Sequence, residues 1–155
     1  MKGGKLKMKV KECMCNDVCC VKPETKIYEI AKLMSENHIG CIPVCDENNS
    51  ICGIVTDRDI LLRCVACNKD TNNTPVSDIM TCNVCTCKES DEITNAETKM
   101  GENQIRRLPV CDDNNKVVGI LTLGNLVQND GNIGKQQVCT TLENICNPQE
   151  NKNAE

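Results

Sequence analysis

The chain has 155 residues, 26% charged and 39% hydrophobic, with a formal net charge of −4 and a pI near 5.1. An acidic chain with one aromatic residue, Tyr28, offers neither the clustered cations that neutralise phosphates nor the rings on which single-stranded bases stack, so no nucleic-acid partner is expected. No apolar run approaches the ~18 residues of a membrane span, and the basic opening residues lead into no apolar signal segment, so a cytoplasmic protein without a membrane partner is expected.

Residues 1–12 form a polar, Lys-rich lead, flexible over 1–7, and Lys11 to Asn16 has room for one helical turn. Val18 to Val21 reads as a strand stopped by Pro23. Thr25 opens a helix with Ile27, Ile30, Ala31 and Met34 on one face, ended by Asn37 and Gly40. The apolar runs Ile42–Cys45 and Ile51–Val55 flank the turn-forming residues Asp46-Glu47-Asn48-Asn49-Ser50, which predicts a β-hairpin. A helix follows from Asp57 to about Cys67, and Asn68 to Pro75 is a polar linker.

The second half repeats the order. Val76–Met80 is a short helix capped by Pro75 or Ser77, and Val84–Cys87 is a strand in register with Val18–Val21. A helix over Asp91–Glu102 turns Ile93, Ala96 and Met100 inward, and Leu108–Cys111 with Val117–Leu121 form a second hairpin. Leu123–Val127 begins the last helix of the repeat, and residues 129–132 read as a break. Val138, Leu142 and Ile145 lie at helical spacing over Gln137–Asn147, a peripheral helix packing on this module or on a dimer mate; 148–155 is a frayed tail. Between positions 41–59 and 107–125, an offset of 66, nine of nineteen residues are identical: Pro43, Val44, Cys45, Asp46, Asn48, Asn49, Gly53, Ile54 and Thr56 recur as Pro109, Val110, Cys111, Asp112, Asn114, Asn115, Gly119, Ile120 and Thr122. Identity at one fixed offset marks two copies of one supersecondary unit.

Fifteen cysteines are the compositional anomaly. Cys41, Cys45 and Cys52 in the hairpin, Cys19 and Cys85 in strands and Cys64 on a helix face stand where small apolar residues belong, as reduced buried cysteines do. Two pairs, Cys64-x-x-Cys67 and Cys82-x-x-Cys85, are spaced like a four-cysteine zinc ribbon, but the repeat pattern turns Cys64 inward from a helix and puts Cys85 on a strand equivalent to that of Cys19. Cys19-Cys20 is a candidate redox pair, and His38, at a helix end, reads as a surface residue. No Cys–His pairing, paired acids or Walker-type loop is present, so no enzyme is expected.

At the strand-to-helix junction, Thr56-x-x-Asp59 ahead of Ile60-Leu61 is a capping box, and Thr122-x-x-Asn125 is a weaker one. Ile42-Pro43-Val44 with Gly53-Ile54-Val55-Thr56-Asp57-Arg58-Asp59 also resembles the cystathionine-β-synthase (CBS) domain, and two in tandem resemble a Bateman module. The lead-ins Val10-Lys11-Glu12-Cys13-Met14 and Val76-Ser77-Asp78-Ile79-Met80 are similar to the family's approach to each domain. The resemblance spans roughly 8–128, with repeats over 8–67 and 76–128, a linker over 68–75 and a C-terminal tail over 129–155.

The resemblance implies an α/β (α+β) fold: two strand–helix–strand–strand–helix repeats packed sheet to sheet about a pseudo-twofold axis, with ligand sites in the cleft between them. It implies a regulatory ligand containing adenosine (AMP, ADP, ATP, S-adenosylmethionine or NAD), no obligatory cofactor, a disc-like homodimer and an effector protein in trans. Adenine would lie against Val18, Cys20, Cys41, Ile42 and Pro43. A helix N-terminus at Asp57 offers free N–H groups to phosphate, Thr56 a hydroxyl, Arg58 a cation and Asp59 a two-oxygen acceptor for a ribose diol. The second set, Thr122, Asn125, Arg107, Leu108 and Pro109, is weaker. Asn125 replaces the acid, and Gly124 stands where Arg58 stands, leaving Arg106 and Arg107 as the nearest cations. The rivals are a dimerisation scaffold whose Thr56 and Asp59 only cap a helix, and a cysteine-based zinc or redox protein.

Overall fold

The computed structural model describes residues 7–147; the lead over 1–6 and the tail from 148 lie outside the described residues. Among the described residues two compact units emerge, one from Asp17–Val84 with Asp112–Val117, the other from 7–16, Cys85–Cys111 and 118–147. The class is α+β, with two small sheets and six helices among the described residues. None of those helices is long and apolar enough to cross a membrane.

In the first unit, α1 (Ile27–Asn37) buries Ile27, Ile30 and Met34, but Ala31, expected on that face, is exposed. Thr25 does not open the helix. Its hydroxyl oxygen accepts from the Lys22 N–H at 3.2 Å and closes the turn before it. The helix ends at Asn37, as expected, and its cap is His38, left-handed at φ 53°, rather than Gly40. Strand β1 (Cys41–Cys45) pairs antiparallel with β2 (Ile51–Thr56), register Cys41↔Thr56, with an irregularity at Val44/Cys45. Asp46 dictates the turn between them: its Oδ1 accepts from Asn48 N–H at 2.9 Å and Ser50 N–H at 3.0 Å. The strand expected at Val18–Val21 is only one parallel bridge, Val21↔Val44, because Pro23 and a turn at Lys22 cut it short.

After β2 comes one helical turn, α2 (Asp57–Asp59), and then a π-helical stretch, Ile60–Val65, instead of the uniform helix to Cys67. The core collects Ile27, Ile30, Ile42, Val44, Val55, Cys64, Val76 and Ile79.

In the second unit the sheet runs β3 (Cys87–Lys88), β4 (Arg107–Cys111), β5 (Val117–Thr122), with β3 parallel to β4. The strand expected at Val84–Cys87 is thus shifted and reduced to two residues. Helix α3 (Ile93–Asn103) buries Ile93, Ala96 and Met100 as its periodicity predicts. Helix α4 (Leu123–Gln128) is followed by α5 (Asp130–Ile133), a further helical turn where a break was expected. Helix α6 (Lys135–Cys146) packs on α3 and buries Val138, Thr141 and Ile145. Leu142 instead stands 41% exposed. Thr141 takes the inward position because α3 offers it a polar partner, the 6% exposed Glu97, whose Oε1 accepts from the Thr141 hydroxyl at 3.1 Å.

Each lead-in packs in the unit of the other repeat's hairpin. Val10, fully buried among Ile93, Met100 and Leu108, follows a strand-like pairing of Lys9 with Glu92, and Cys15 exchanges backbone hydrogen bonds with Ile120 at 2.9 and 3.0 Å. In the first unit Thr81 does the same with Ile54, at 2.9 and 3.0 Å. The 66-residue offset relates the two pairings. Each brings a methionine, Met14 or Met80, over a strand glycine, Gly119 or Gly53.

Candidate functional site

Strand β2 ends by pointing Thr56 at the first turn of α2. Thr56 is extended (φ −115°, ψ 162°), so its hydroxyl oxygen meets the Asp59 N–H at 3.1 Å while Asp59 Oδ2 accepts from the Thr56 N–H at 3.0 Å. The capping box expected from the sequence is therefore formed in full. In addition, the Asp57 N–H goes to Gly40 O at 3.1 Å and the Arg58 N–H to Asp57 Oδ1 at 2.8 Å. All three first-turn amides have protein acceptors, which corrects the expectation of free N–H groups for a phosphate.

What remains for a ligand lies on the side chains. Thr56 uses its oxygen as an acceptor and keeps its hydroxyl hydrogen. Asp59 spends Oδ2 on the cap and turns Oδ1 toward Arg63, 3.8 Å from Nη2. The Asp59 side chain is 16% accessible, whereas Asp57 and Arg58 lie in the open. Arg63 is the residue that sequence reasoning missed. Its Nη1 donates to Ile79 O at 2.9 Å and to Thr81 Oγ1 at 3.2 Å, so it ties the carboxylate to the lead-in strand of the same unit. The i,i+4 spacing from Asp59 was the available signal.

The proposed apolar wall is built from β1 and the stretch beside it. Val21 N–H donates to Pro43 O at 3.1 Å and Cys45 N–H to Val21 O at 2.9 Å, and Val18 and Cys20, in the stretch leading to Val21, are half-buried. Cys41, Ile42 and Pro43 are buried. Ile42, with no exposure, points into the core, so only its backbone is available to a bound molecule.

The second unit holds the related junction. Thr122 accepts from the Asn125 N–H at 3.1 Å, and Asn125 Oδ1 accepts from the Thr122 N–H at 2.9 Å. Here the box closes on itself further, because the Thr122 hydroxyl also donates to Asn125 Oδ1 at 3.0 Å. The Leu123 N–H donates to Arg106 O at 2.9 Å, as Asp57 does to Gly40. Arg107 is half-buried at the start of β4, Leu108 and Pro109 are buried behind it, and Arg106 is exposed. Position 129, the counterpart of Arg63, is Asn129, whose amide donates to Asn125 O at 2.8 Å rather than to the capping side chain.

The zinc-ribbon spacing does not bring sulfurs together. Cys64 Sγ contacts Lys69 O and Cys67 Sγ contacts Leu62 O, each at 3.6 Å, and Cys82 is exposed. Among the described residues no three His, Cys, Asp or Glu side chains are grouped to hold a metal ion.

Comparison with known proteins agrees with this geometry. The CBS domain family matches twice, over residues 10–66 and 76–131. The CBS domain-containing protein YhcV of Bacillus subtilis (strain 168) is 38% identical over 136 residues, covering 88% of this chain and 94% of that protein. The solved CBS domain pair of protein MJ0100 in complex with 5-methylthioadenosine and S-adenosyl-L-methionine superposes with a TM-score of 0.72 at 30% identity, over 81% of this chain and 97% of that one. CBSX2 in complex with AMP superposes at 0.70 and 30% identity, over 82% and 98%. The paired lead-ins, the repeated hairpins and the two Thr-capped junctions are thus those of a tandem pair, and the chain belongs to the CBS domain family.

Proposed function

We propose that this chain is a regulatory module that binds an adenosine-containing ligand at the Thr56–Asp59 junction. It acts as a cytosolic homodimer without catalysis of its own and passes its signal to an effector protein in trans. The observation that carries the reading is that the first capping box leaves valences over. Thr56 retains a hydroxyl hydrogen, and Asp59 Oδ1, which faces Arg63 Nη2 at 3.8 Å, has room for a further donor, beside a short apolar wall at Val18, Cys20, Cys41 and Pro43. A carboxylate oxygen accepts two hydrogen bonds, which suits a ribose diol. The ligands of the two solved relatives, AMP and S-adenosylmethionine with methylthioadenosine, share that ribose and adenine.

The second junction is the weaker site. Its threonine hydroxyl is spent on Asn125 Oδ1, and Asn125 carries no charge. Leu108, Pro109 and Arg107 would line it. For the homodimer, the exposed Leu61, Leu62 and Val65 on the π-helical stretch supply an apolar face.

The test is calorimetric titration of the whole chain with AMP, ATP and S-adenosylmethionine, repeated on Asp59→Asn. Asn125 caps its helix through Oδ1 with the same geometry, so an asparagine at 59 keeps the fold. It removes a charge-assisted hydrogen bond worth about 1.5–3 kcal/mol, at least a tenfold loss of affinity. No heat with any of the three ligands, or unchanged binding by Asp59→Asn, sinks the reading.

A further inference from the structure

Helices α3 and α6 enclose an open groove of about 530 Å³ whose lining residues are all polar. Its floor is the Glu97 carboxylate, 6% exposed. Gln137 Nε2 donates to Oε2 and the Thr141 hydroxyl to Oε1 at 3.1 Å, which leaves each oxygen a further lone pair. Among the described residues Glu97 has no cationic partner. No lysine or arginine lines the groove, and Lys99, the lysine nearest to it on α3, donates its Nζ to Thr86 O at 2.8 Å. Burial raises the Glu97 pKa with no cation to oppose it. The 66-residue offset puts Ala31 at the same place on α1, so the repeat itself does not call for an acid there. A buried carboxylate without a counter-charge is costly, and this one lines an open groove.

The hydroxyls around it have acceptor capacity left and no donor. Thr98 donates to Thr94 O at 2.9 Å, Thr140 to Gln136 O at 2.9 Å and Thr141 to Gln137 O at 3.0 Å, each to the carbonyl four residues back. Thr141 divides its one hydrogen between that carbonyl and Glu97. With their hydrogens so placed, all three keep oxygen lone pairs. An ammonium has three N–H donors and no acceptor, the complement of a carboxylate flanked by hydroxyl oxygens. We infer that the α3–α6 groove binds the protonated amino group of a small aliphatic amine, with Glu97 as its anionic anchor and Thr98, Thr140 and Thr141 as hydrogen-bond acceptors.

A metal ion suits the groove less well. Calcium and magnesium draw on several oxygen ligands in a set geometry, and here one carboxylate stands alone, with no three His, Cys, Asp or Glu side chains grouped among the described residues. The groove is fixed by helix packing. A Cβ on Gly101 would come 2.9 Å from Asn144 Cβ, so the glycine lets α6 close on α3 at the end of the groove where Asn144 stands. No residue of the Thr56 or Thr122 junction lines it, so amine binding does not depend on the nucleotide reading.

The test titrates the whole isotope-labelled chain with butylamine hydrochloride at neutral pH and constant ionic strength, following the backbone amide resonances. Saturable shifts over residues 94–98 and 136–144 are expected. Potassium chloride, tetramethylammonium chloride (a cation without N–H donors) and butanol (the neutral analogue) at the same concentrations should give none. Glu97→Gln keeps the shape of the side chain, removes its charge and should weaken amine binding about tenfold or more. Thr140→Val, on the exposed wall, leaves the buried carboxylate untouched, takes away one acceptor and should weaken binding about threefold. Absence of saturable shifts, shifts confined to other surfaces, equal shifts with any of the three controls, or unchanged affinity in either variant overturns the proposal.

Discussion

The two strand glycines make a paired test of how the lead-ins are held. A Cβ placed on Gly53 would come 2.4 Å from Met80 Sδ, and one on Gly119 would come 2.8 Å from both Met14 Sδ and the Cys15 carbonyl oxygen. Met80 is the far end of a flexible side chain and can swing away. Cys15 O is backbone, fixed by accepting from Ile120 N–H at 3.0 Å while Cys15 N–H donates to Ile120 O at 2.9 Å. Overpacking costs about 1–3 kcal/mol, and alanine in a strand regains roughly 0.5–1 kcal/mol over glycine. Gly53→Ala should therefore cost about 1 kcal/mol or less. Gly119→Ala must also stretch two ladder hydrogen bonds worth about 0.5–1.5 kcal/mol each, so its cost is about 2 kcal/mol or more. At roughly 2–4 °C per kcal/mol, Gly119→Ala should lower the melting temperature by about 4–8 °C and Gly53→Ala by no more than about 4 °C. Urea melts of the double variants sharpen the contrast. Met80→Ala should absorb the cost of Gly53→Ala, with a coupling of about 1 kcal/mol, whereas Met14→Ala leaves the Cys15 carbonyl in place and should not rescue Gly119→Ala. A Gly53→Ala cost equal to or above that of Gly119→Ala, or equal rescue at both sites, refutes the reasoning.

Thr56→Ala and Thr122→Ala each remove the acceptor of one capping box and should each lower stability by about 1 kcal/mol in urea unfolding; no loss at either site would mean that the boxes do not hold their helices. Burial raises the Glu97 pKa, outweighing the bonds it accepts from Gln137 and Thr141. Because the folded value lies above the unfolded one, its stabilising contribution is complete below the unfolded pKa and is lost as pH rises through the folded pKa. The melting temperature of Glu97→Gln minus that of wild type should thus grow from acid to neutral pH, and a gap that shrinks would contradict the sign. On α6, Ile145→Ala removes a side chain 5% exposed and should cost about 2–5 kcal/mol, while Leu142→Ala should stay within ~0.5 kcal/mol; thermal melts that reverse this order would put the inward face of α6 elsewhere.

Much of the fold was legible because several signals agreed. The hairpins were marked twice over, by apolar runs and by Asp-x-Asn-Asn turns whose aspartates bond their own backbone, and both formed within a residue of expectation. What failed depended on tertiary partners. Periodicity put Leu142 inward, yet the buried Glu97 on α3 and the close approach of Gly101 to Asn144, 2.9 Å from an added Cβ, select Thr141 instead. Ala31 satisfied the helical pattern but is too small to be drawn inward when Ile27, Ile30 and Met34 already fill the face. The strand at Val18–Val21 had the right residues and too little length before Pro23 to form more than one bridge.

The site shows why a repeat in sequence is not a repeat in chemistry. Thr56 and Thr122 occupy the same backbone conformation, and Asp59 and Asn125 both return a side-chain oxygen to the threonine amide, so the local fold tolerates either residue. The difference arises one bond further out. Asp59 faces Arg63 with its second oxygen, and Arg63 in turn reaches Ile79 and Thr81. At the second junction the asparagine turns the threonine hydroxyl back on itself, and position 129 is no longer a cation. Capping and the proposed ligand binding draw on different valences of the same two side chains. The pattern Thr-x-x-Asp therefore cannot separate the two roles, whereas the hydroxyl hydrogen and the outer carboxylate oxygen can. By that measure the first junction has polar groups to spare for a ribose, and the second has used its own to hold its helix.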